Sequence, residues 1–207
     1  MYLDRNKDIE IRLKGNLPHM HQDETMQFVT FRLADSLPKS VCQDLYDRVQ
    51  LFKDAHPLPW DDTIKLLYWK EFGPKYQKYL DNGYGECWLK YPACRQILID
   101  AFAYKDNVDY IVDSYVIMPN HVHILIQPLG NNKMEKIMQS IKGYSAIQIN
   151  RSVGRKGRLW MKESFDRMVR GEDDHRRHCH YILDNPRFLP DGWFTVATRK
   201  AMFVLSR

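Results

Sequence analysis

The sequence predicts an α+β fold, a ferredoxin-like split βαβ antiparallel sheet of four or five strands with a helical insertion and a C-terminal helix. Alternating segments rich in β-branched and aromatic residues lie at 26–33, 108–117 and 121–127, and this period of two is typical of strands. Segments with helical spacing separate them along the chain. The predicted order is therefore βαββαβ followed by one helix, with helices on one face of the sheet.

Each element follows from local patterns. Residues 26–33, 108–117 and 121–127 are the first three predicted strands, and residues 158–169 are the fourth. Apolar spacing predicts helices over 39–55, 61–80, 91–104 and 132–151. A last helix opens after Gly171 and ends near Asn185, because Pro186 disfavours the helical conformation of the residue before it.

Domain organisation is predicted to be simple. The 207 residues are enough for one sizeable core. We expect a single domain over 1–207, with a polar N-terminal arm at 1–24 and a helical insertion at about 39–82. No apolar run reaches membrane-spanning length and the first residues lack a secretory segment, so we expect a cytoplasmic protein. The four scattered cysteines form no Cys-x-x-Cys pair, which argues against a zinc ribbon and a disulfide framework.

Basic residues are clustered, although the net charge is only +5. No acidic residue lies between Lys142 and Arg158, and further cations follow in the last helix. Such clustering is typical of a polyanion partner, while a solvated basic face remains the alternative. The candidate DNA-binding residues are Lys142, Arg151, Arg155, Lys156, Arg158, Arg167, Arg176 and Arg177.

The third strand carries two histidines that alternate with apolar residues. His121 and His123 share one face of the strand, and Val122 and Ile124 share the other. Two imidazoles at this spacing can bind one divalent metal ion. The alternative is that two half-exposed histidines happen to lie on a strand.

The last helix offers a further ligand and a nucleophile. Tyr181 and Asn185 are four residues apart and so share a helix face. A metal held by His121, His123 and the Asn185 carbonyl oxygen would act as a Lewis acid on phosphorus while Tyr181 attacks in line. Alternatively, Tyr181 packs against the core and Asn185 ends the helix.

Other histidines and tyrosines receive structural interpretations. His175, His178 and His180 are interpreted as surface or phosphate-contacting residues. Tyr144, on the apolar stripe of its helix, and Tyr115, within a strand, are interpreted as packing residues.

Five sequence blocks, in order, resemble single-tyrosine transposases of the HUH (His, hydrophobic, His) superfamily, specifically the group associated with repetitive extragenic palindromes. A lone His-x-His would be a weak match, whereas five ordered blocks are specific. The blocks are Gln27-Phe28-Val29-Thr30-Phe31-Arg32-Leu33-Ala34-Asp35-Ser36-Leu37-Pro38, Gly83-Tyr84-Gly85-Glu86-Cys87-Trp88-Leu89, Val116-Ile117-Met118-Pro119-Asn120-His121-Val122-His123, Phe165-Asp166-Arg167 and Tyr181-Ile182-Leu183-Asp184-Asn185-Pro186.

The resemblance implies an endonuclease that binds DNA hairpins, cleaves the adjacent single strand through a 5′-phosphotyrosine and can rejoin strands. By position, Tyr181 would be the nucleophile, and His121, His123 and Asn185 would hold Mg²⁺ or Mn²⁺, although the two imidazoles would also accept zinc. We expect a bacterial, nucleoid-associated monomer or homodimer whose partners are single-stranded DNA and palindromic hairpins.

Two other functions are compatible with parts of the sequence. A hairpin-binding repressor or domesticated transposase would bind DNA without cleaving it. A metal-dependent hydrolase would act on a small phosphodiester.

Overall fold

The computed structural model describes residues 1–4, 6, 9–12, 19–57 and 60–199, so the N-terminal arm and the segment 39–82 lie partly outside the described residues. None of the described helices is long and apolar enough to span a membrane. The strands are β1 Glu10–Arg12, β2 His19–His21, β3 Gln27–Arg32, β4 Tyr110–Ile117, β5 His121–Pro128, β6 Phe165–Met168 and β7 Thr195–Thr198. The helices are α1 Lys39–Ala55, α2 Asp62–Asp81, α3 Pro92–Ala103, α4 Met134–Ser152 and α5 Glu172–Asp184, with a 3-10 turn at Trp88–Lys90.

The main sheet has five strands in the order β6-β3-β5-β4-β7, and every neighbouring pair is antiparallel. Its first four strands follow the ferredoxin-like arrangement, with the two connecting helices α3 and α4 between β3 and β6 along the chain. The predicted α+β fold class is confirmed. β7 extends the sheet beyond β4, and a separate hairpin pairs β1 with β2.

Both faces of the sheet are buried. Val122, Ile124 and Ile126 share one core with residues of α3 and α4. Leu125, from the opposite face of β5, packs with Ile182 of α5. The predicted division of β5 into two faces is confirmed: α3 and α4 share one face of the sheet, and α5 lies on the other. This helix covers the histidine-bearing face, because that face also carries apolar residues that must be buried.

The predicted strand over 158–169 is only partly correct. Thr30 of β3 lies opposite Phe165, whereas Leu33 forms an isolated bridge with Trp160. Between these two pairs the chain advances three residues from Thr30 to Leu33 but five residues from Trp160 to Phe165. The two extra residues interrupt the hydrogen-bonded ladder as a β-bulge does. Periodicity cannot reveal such an interruption. The strands β1, β2 and β7 are not predicted from the sequence, because they are only three or four residues long.

α1 and α2 form a small core of their own. Val49, Trp60, Tyr68 and Phe72 are buried against one another. α2 begins after Asp61, whose side chain accepts a hydrogen bond of 2.8 Å from the backbone N–H of Ile64, a standard N-cap. Whether this pair is an insertion into the domain stays a prediction.

The loop after α2 supports the turn that leads into β5. The Tyr84 carbonyl accepts a hydrogen bond of 3.2 Å from Asn120 Nδ2, and the Leu89 N–H donates to the Pro119 carbonyl at 3.1 Å. Gly85 has φ of +90°, and a Cβ added there would lie 2.7 Å from the Asp35 carbonyl oxygen. Only glycine therefore fits the close approach of this loop to Asp35.

We predict that Gly85→Ala destabilises the protein more than Gly83→Ala does. Both residues have positive φ, but a Cβ at Gly83 meets nothing within 4 Å. Gly83→Ala should cost about 1 kcal/mol of unfolding free energy from backbone strain alone, and Gly85→Ala about 2–3 kcal/mol. Urea unfolding of both variants measures the difference. Equal losses would show that the contact with Asp35 is relieved without cost.

Candidate active site

The two strand histidines converge on one point. His121 Nε2 and His123 Nε2 are 3.1 Å apart, and both side chains are almost completely buried. They lie on one face of β5 because side chains alternate along a strand. Burial lowers the pKa of His121 to about 3 and that of His123 well below its usual value. Both imidazoles are therefore neutral near pH 7 and can offer a lone pair.

Asn120 determines which nitrogen of His121 is available. Its Nδ2 donates to the Leu80 and Tyr84 carbonyls, each at 3.2 Å. Its Oδ1 lies 2.7 Å from His121 Nδ1 and must be the acceptor of that hydrogen bond. The proton of neutral His121 is therefore on Nδ1, and the lone pair on Nε2 faces His123.

His123 is fixed from the neighbouring strand. Thr30 lies opposite His123 in the β3–β5 register, and its hydroxyl is 2.7 Å from His123 Nδ1. The ring of Phe28 stacks on His123 with centroids 5.3 Å apart. The second nitrogen, Nε2, is thereby directed toward His121 and away from the strand.

Tyr181 reaches the same point from α5. Its hydroxyl is 3.5 Å from His123 Nε2, and the two rings meet edge to face with centroids 5.2 Å apart. Burial raises the pKa of Tyr181 well above its ordinary value, and the charge of Asp81 raises it further, while a hydrogen bond with Asn185 opposes both. The phenol is therefore protonated at rest and must lose its proton to act as a nucleophile.

Asn185 supplies an oxygen atom that needs a partner. It is the C-cap residue of α5, and its buried Oδ1 accepts no hydrogen bond within the described part of the chain. An unsatisfied buried carbonyl oxygen costs about 1–3 kcal/mol. A cation would remove that cost.

These residues fit a divalent metal ion. Two cis ligands about 2.1 Å from an octahedral ion would be about 3.0 Å apart, close to the 3.1 Å between the two histidine nitrogens. Two neutral nitrogens and one amide oxygen form a mixed donor set that Mg²⁺, Mn²⁺ and Zn²⁺ can each accept. His121, His123 and Asn185 are therefore the residues that would hold the ion.

A groove of about 630 Å³ opens beside Tyr181, between α2 and the sheet. Aromatic rings line it, among them Phe28, Tyr76 and Phe165, and the last two stack on each other. Cations line it too, and of these Lys70, Lys78 and Arg170 are exposed. Proteins that bind single-stranded nucleic acids combine aromatic faces for base stacking with cations for the phosphates.

The predicted basic residues have different environments. Lys142 donates to the Lys162 carbonyl and Ser164 Oγ, each at 3.0 Å, and burial lowers its pKa to about 8. Arg155, in the loop that follows α4, donates a hydrogen bond to Asn150 Oδ1 near the end of that helix. The others divide into exposed residues of α4 and its loop, Arg151, Lys156 and Arg158, and partners of α5 carboxylates, Arg167, Arg176 and Arg177.

The remaining histidines and tyrosines differ in their surroundings. His178 lines the groove beside Tyr181, with its ring 4.6 Å from that of Phe28, so its interpretation as a phosphate-contacting residue stays a prediction. His175 pairs with Asp113. Tyr144 is 49% exposed, so its interpretation as a packing residue is wrong. The buried side of α4 follows Ile141 and Ser145, and Tyr144 lies beside it. Buried Tyr115 confirms the packing interpretation.

Sequence reasoning assigned no role to four residues that surround the site. Thr30 and Asn120 orient the histidines, Phe28 stacks on His123, and Asp81 lies near enough to Tyr181 to affect its pKa. Asn120 directly precedes His121, and Thr30 is a polar residue within an apolar strand. Those two features were the only indications in the sequence.

The chain is similar to known proteins in part of its sequence and in its fold. Residues 93–185, slightly less than half of the chain, match the family model described as "Transposase IS200 like". No curated protein matches the sequence.

The chain is similar to a REP-associated tyrosine transposase solved with a REP hairpin, at 16% identity and a TM-score of 0.43, covering 80% of this chain and 68% of that one. It is also similar to a Deinococcus radiodurans protein solved as a candidate transposase, at 13% identity and a TM-score of 0.34, covering 80% and 93%. The segment that matches this family model contains His121, His123, Tyr181 and Asn185.

Proposed function

We propose that this protein cleaves and rejoins single-stranded DNA beside a hairpin, through a covalent bond between Tyr181 and a 5′-phosphate. The observation that carries the proposal is the convergence of the Tyr181 hydroxyl on the two histidine nitrogens, 3.5 Å from His123 Nε2. The match of residues 93–185 to the IS200-like transposase model supports DNA as the substrate.

The proposed reaction is an in-line displacement at phosphorus. The Tyr181 oxygen forms a bond to phosphorus, the bond from phosphorus to the 3′-oxygen breaks, and that oxygen leaves as a hydroxyl after gaining the proton that the phenol releases. The ester conserves the energy of the broken phosphodiester, so attack by a 3′-hydroxyl can rejoin the strand. A divalent ion held by His121, His123 and Asn185 would supply Lewis acidity at the scissile phosphate.

The groove beside Tyr181 accounts for the approach of a single strand. Bases can stack on Tyr76 and Phe165, while Lys70, Lys78 and Arg170 contact phosphates. The basic residues at the end of α4 and in its loop, Arg151, Arg155, Lys156 and Arg158, are proposed to contact the hairpin duplex. Phosphate contacts of this kind give affinity and register and do not read sequence.

A hairpin-binding repressor is the second candidate function. Such a protein would need the basic surface but not a phenol beside two neutral histidines. The buried, mutually oriented arrangement of Thr30, His123 and Tyr181 therefore favours cleavage. The third possibility, a hydrolase for a small phosphodiester, does not account for a basic, aromatic groove of about 630 Å³.

We predict that Tyr181→Phe abolishes the covalent adduct with single-stranded DNA next to a hairpin while leaving the fold and hairpin binding intact. Only one hydroxyl is lost, and it borders the open groove. Tyr144→Phe is the matched control, since it removes a hydroxyl from an exposed tyrosine on α4. Denaturing electrophoresis detects the adduct, and peptide mapping locates it. An adduct that persists in Tyr181→Phe would exclude Tyr181 as the nucleophile.

Chelation with EDTA should reduce cleavage by roughly 100-fold or more, because developing charge at the phosphate loses its counterion. Hairpin binding should continue, since it depends on basic contacts. Adding Mg²⁺ or Mn²⁺ should restore cleavage in the wild-type protein but not in His121→Ala or His123→Ala. Cleavage at full rate in EDTA would remove metal ions from the mechanism.

The charge of Asp81 should control the pH dependence of cleavage. Its negative charge disfavours the phenolate and raises the pKa of Tyr181. Asp81→Asn therefore lowers that pKa, and the rise of cleavage rate with pH should move to lower pH. Asp54→Asn, which removes a carboxylate from the exposed end of α1, should leave the profile in place. Slower cleavage at every pH in Asp81→Asn would instead identify the carboxylate as the proton acceptor.

A further inference from the structure

A second group of potential metal ligands lies on the other side of α5. His175 and Cys179 are four residues apart and face β4, where they meet Asp113. Asp113 Oδ2 is 3.0 Å from His175 Nε2 and 3.7 Å from Cys179 Sγ, and the last two atoms are 3.6 Å apart. All three residues are partly buried.

The three donor atoms converge on one point and do not form a relay. In a relay of thiol, imidazole and carboxylate, the thiol and the carboxylate would contact different nitrogens of the imidazole ring. Here both Cys179 and Asp113 approach the same atom, His175 Nε2. A shared focus for sulfur, nitrogen and oxygen is what a metal ion requires.

The separations match a tetrahedral zinc site. With bond lengths of about 2.3 Å to sulfur, 2.05 Å to nitrogen and 2.0 Å to oxygen, tetrahedral geometry places the donors about 3.3–3.6 Å apart. The observed values run from 3.0 Å to 3.7 Å. Movement of Asp113 Oδ2 by a few tenths of an ångström would complete the match.

The surroundings provide space for a fourth ligand. The cluster lines a cavity of about 230 Å³ that also includes Thr198 and Arg199 of the β7 region. The Arg199 guanidinium donates hydrogen bonds to the Asp106 carboxylate and to the Val112 carbonyl, both of which lie outside the cluster. A water molecule or the hydroxyl of Ser114, which is 3.8 Å from Cys179 Sγ, can complete four-coordination.

We propose that Asp113, His175 and Cys179 bind a zinc ion that fastens α5 to β4. The mixed donor set of thiolate, imidazole and carboxylate favours zinc over magnesium or calcium. On binding, the Cys179 thiol releases its proton to solvent and becomes the thiolate ligand. The ion would cross-link the helix that carries Tyr181 to a central part of the sheet. This site is independent of the proposed cleavage chemistry.

Cobalt(II) titration of the purified, metal-free protein tests the site. A thiolate ligand gives Co²⁺ a sulfur-to-metal charge-transfer band in the near ultraviolet, whereas the His121–His123 site contains no sulfur and gives none. We expect saturating Co²⁺ to produce this band, with the intensity of one thiolate-bound ion per chain, and excess Zn²⁺ to remove it. Absence of the band in the wild-type protein would overturn the proposal.

Two variants assign the band to its ligands. Cys179→Ser should lose it completely, while the matched variant Cys87→Ser, at a cysteine in the loop before the 3-10 turn, should keep it. Asp113→Asn retains the thiol and should weaken zinc affinity roughly tenfold or more. Circular dichroism verifies that each variant is folded. A band that persists in folded Cys179→Ser, or an unchanged affinity in Asp113→Asn, would reject the site.

Discussion

The antiparallel register between β3 and β5 is the constraint on which the candidate active site depends. It sets Thr30 opposite His123 and Arg32 opposite His121 in the middle of the sheet. α5 covers the face of β5 that carries the histidines, so both imidazoles are almost completely buried and remain neutral. A shift of one residue would turn both imidazoles into the apolar core under α3 and α4.

Burial of the histidines creates a requirement that the rest of the fold satisfies. Each imidazole needs a hydrogen-bond partner for its Nδ1 atom, because a buried polar group without one is destabilising. Thr30 supplies one partner from β3, and Asn120 supplies the other from the turn before β5. Asn120 is in turn held by the carbonyls of Leu80 and Tyr84, so the end of α2 and the Gly85 loop contribute to the orientation of His121.

The helix α5 presents chemically active residues on two sides. Tyr181 and His178 lie in the groove with Phe28, whereas His175 and Cys179 contact Asp113 on β4. Its first turn is anchored by buried Asp174, whose carboxylate accepts a hydrogen bond of 3.0 Å from the Arg170 backbone N–H and pairs with Arg167 and Arg177. Contacts of Asp174, His175 and Cys179 therefore hold the helix that carries the phenol.

The sequence by itself determined the helices, the three longest strands and the four residues that carry the proposed chemistry. The alternation around His121 and His123 predicted a strand with both imidazoles on one face, and the four-residue spacing of Tyr181 and Asn185 predicted one face of a helix. These are local periodicities, set by backbone geometry over a few residues. Only the tertiary structure decided that Thr30 meets His123, that Asp81 approaches Tyr181, and that Asp113 joins His175 and Cys179. Such contacts join residues far apart in the chain, and strand register and helix packing, which no local pattern encodes, bring them together.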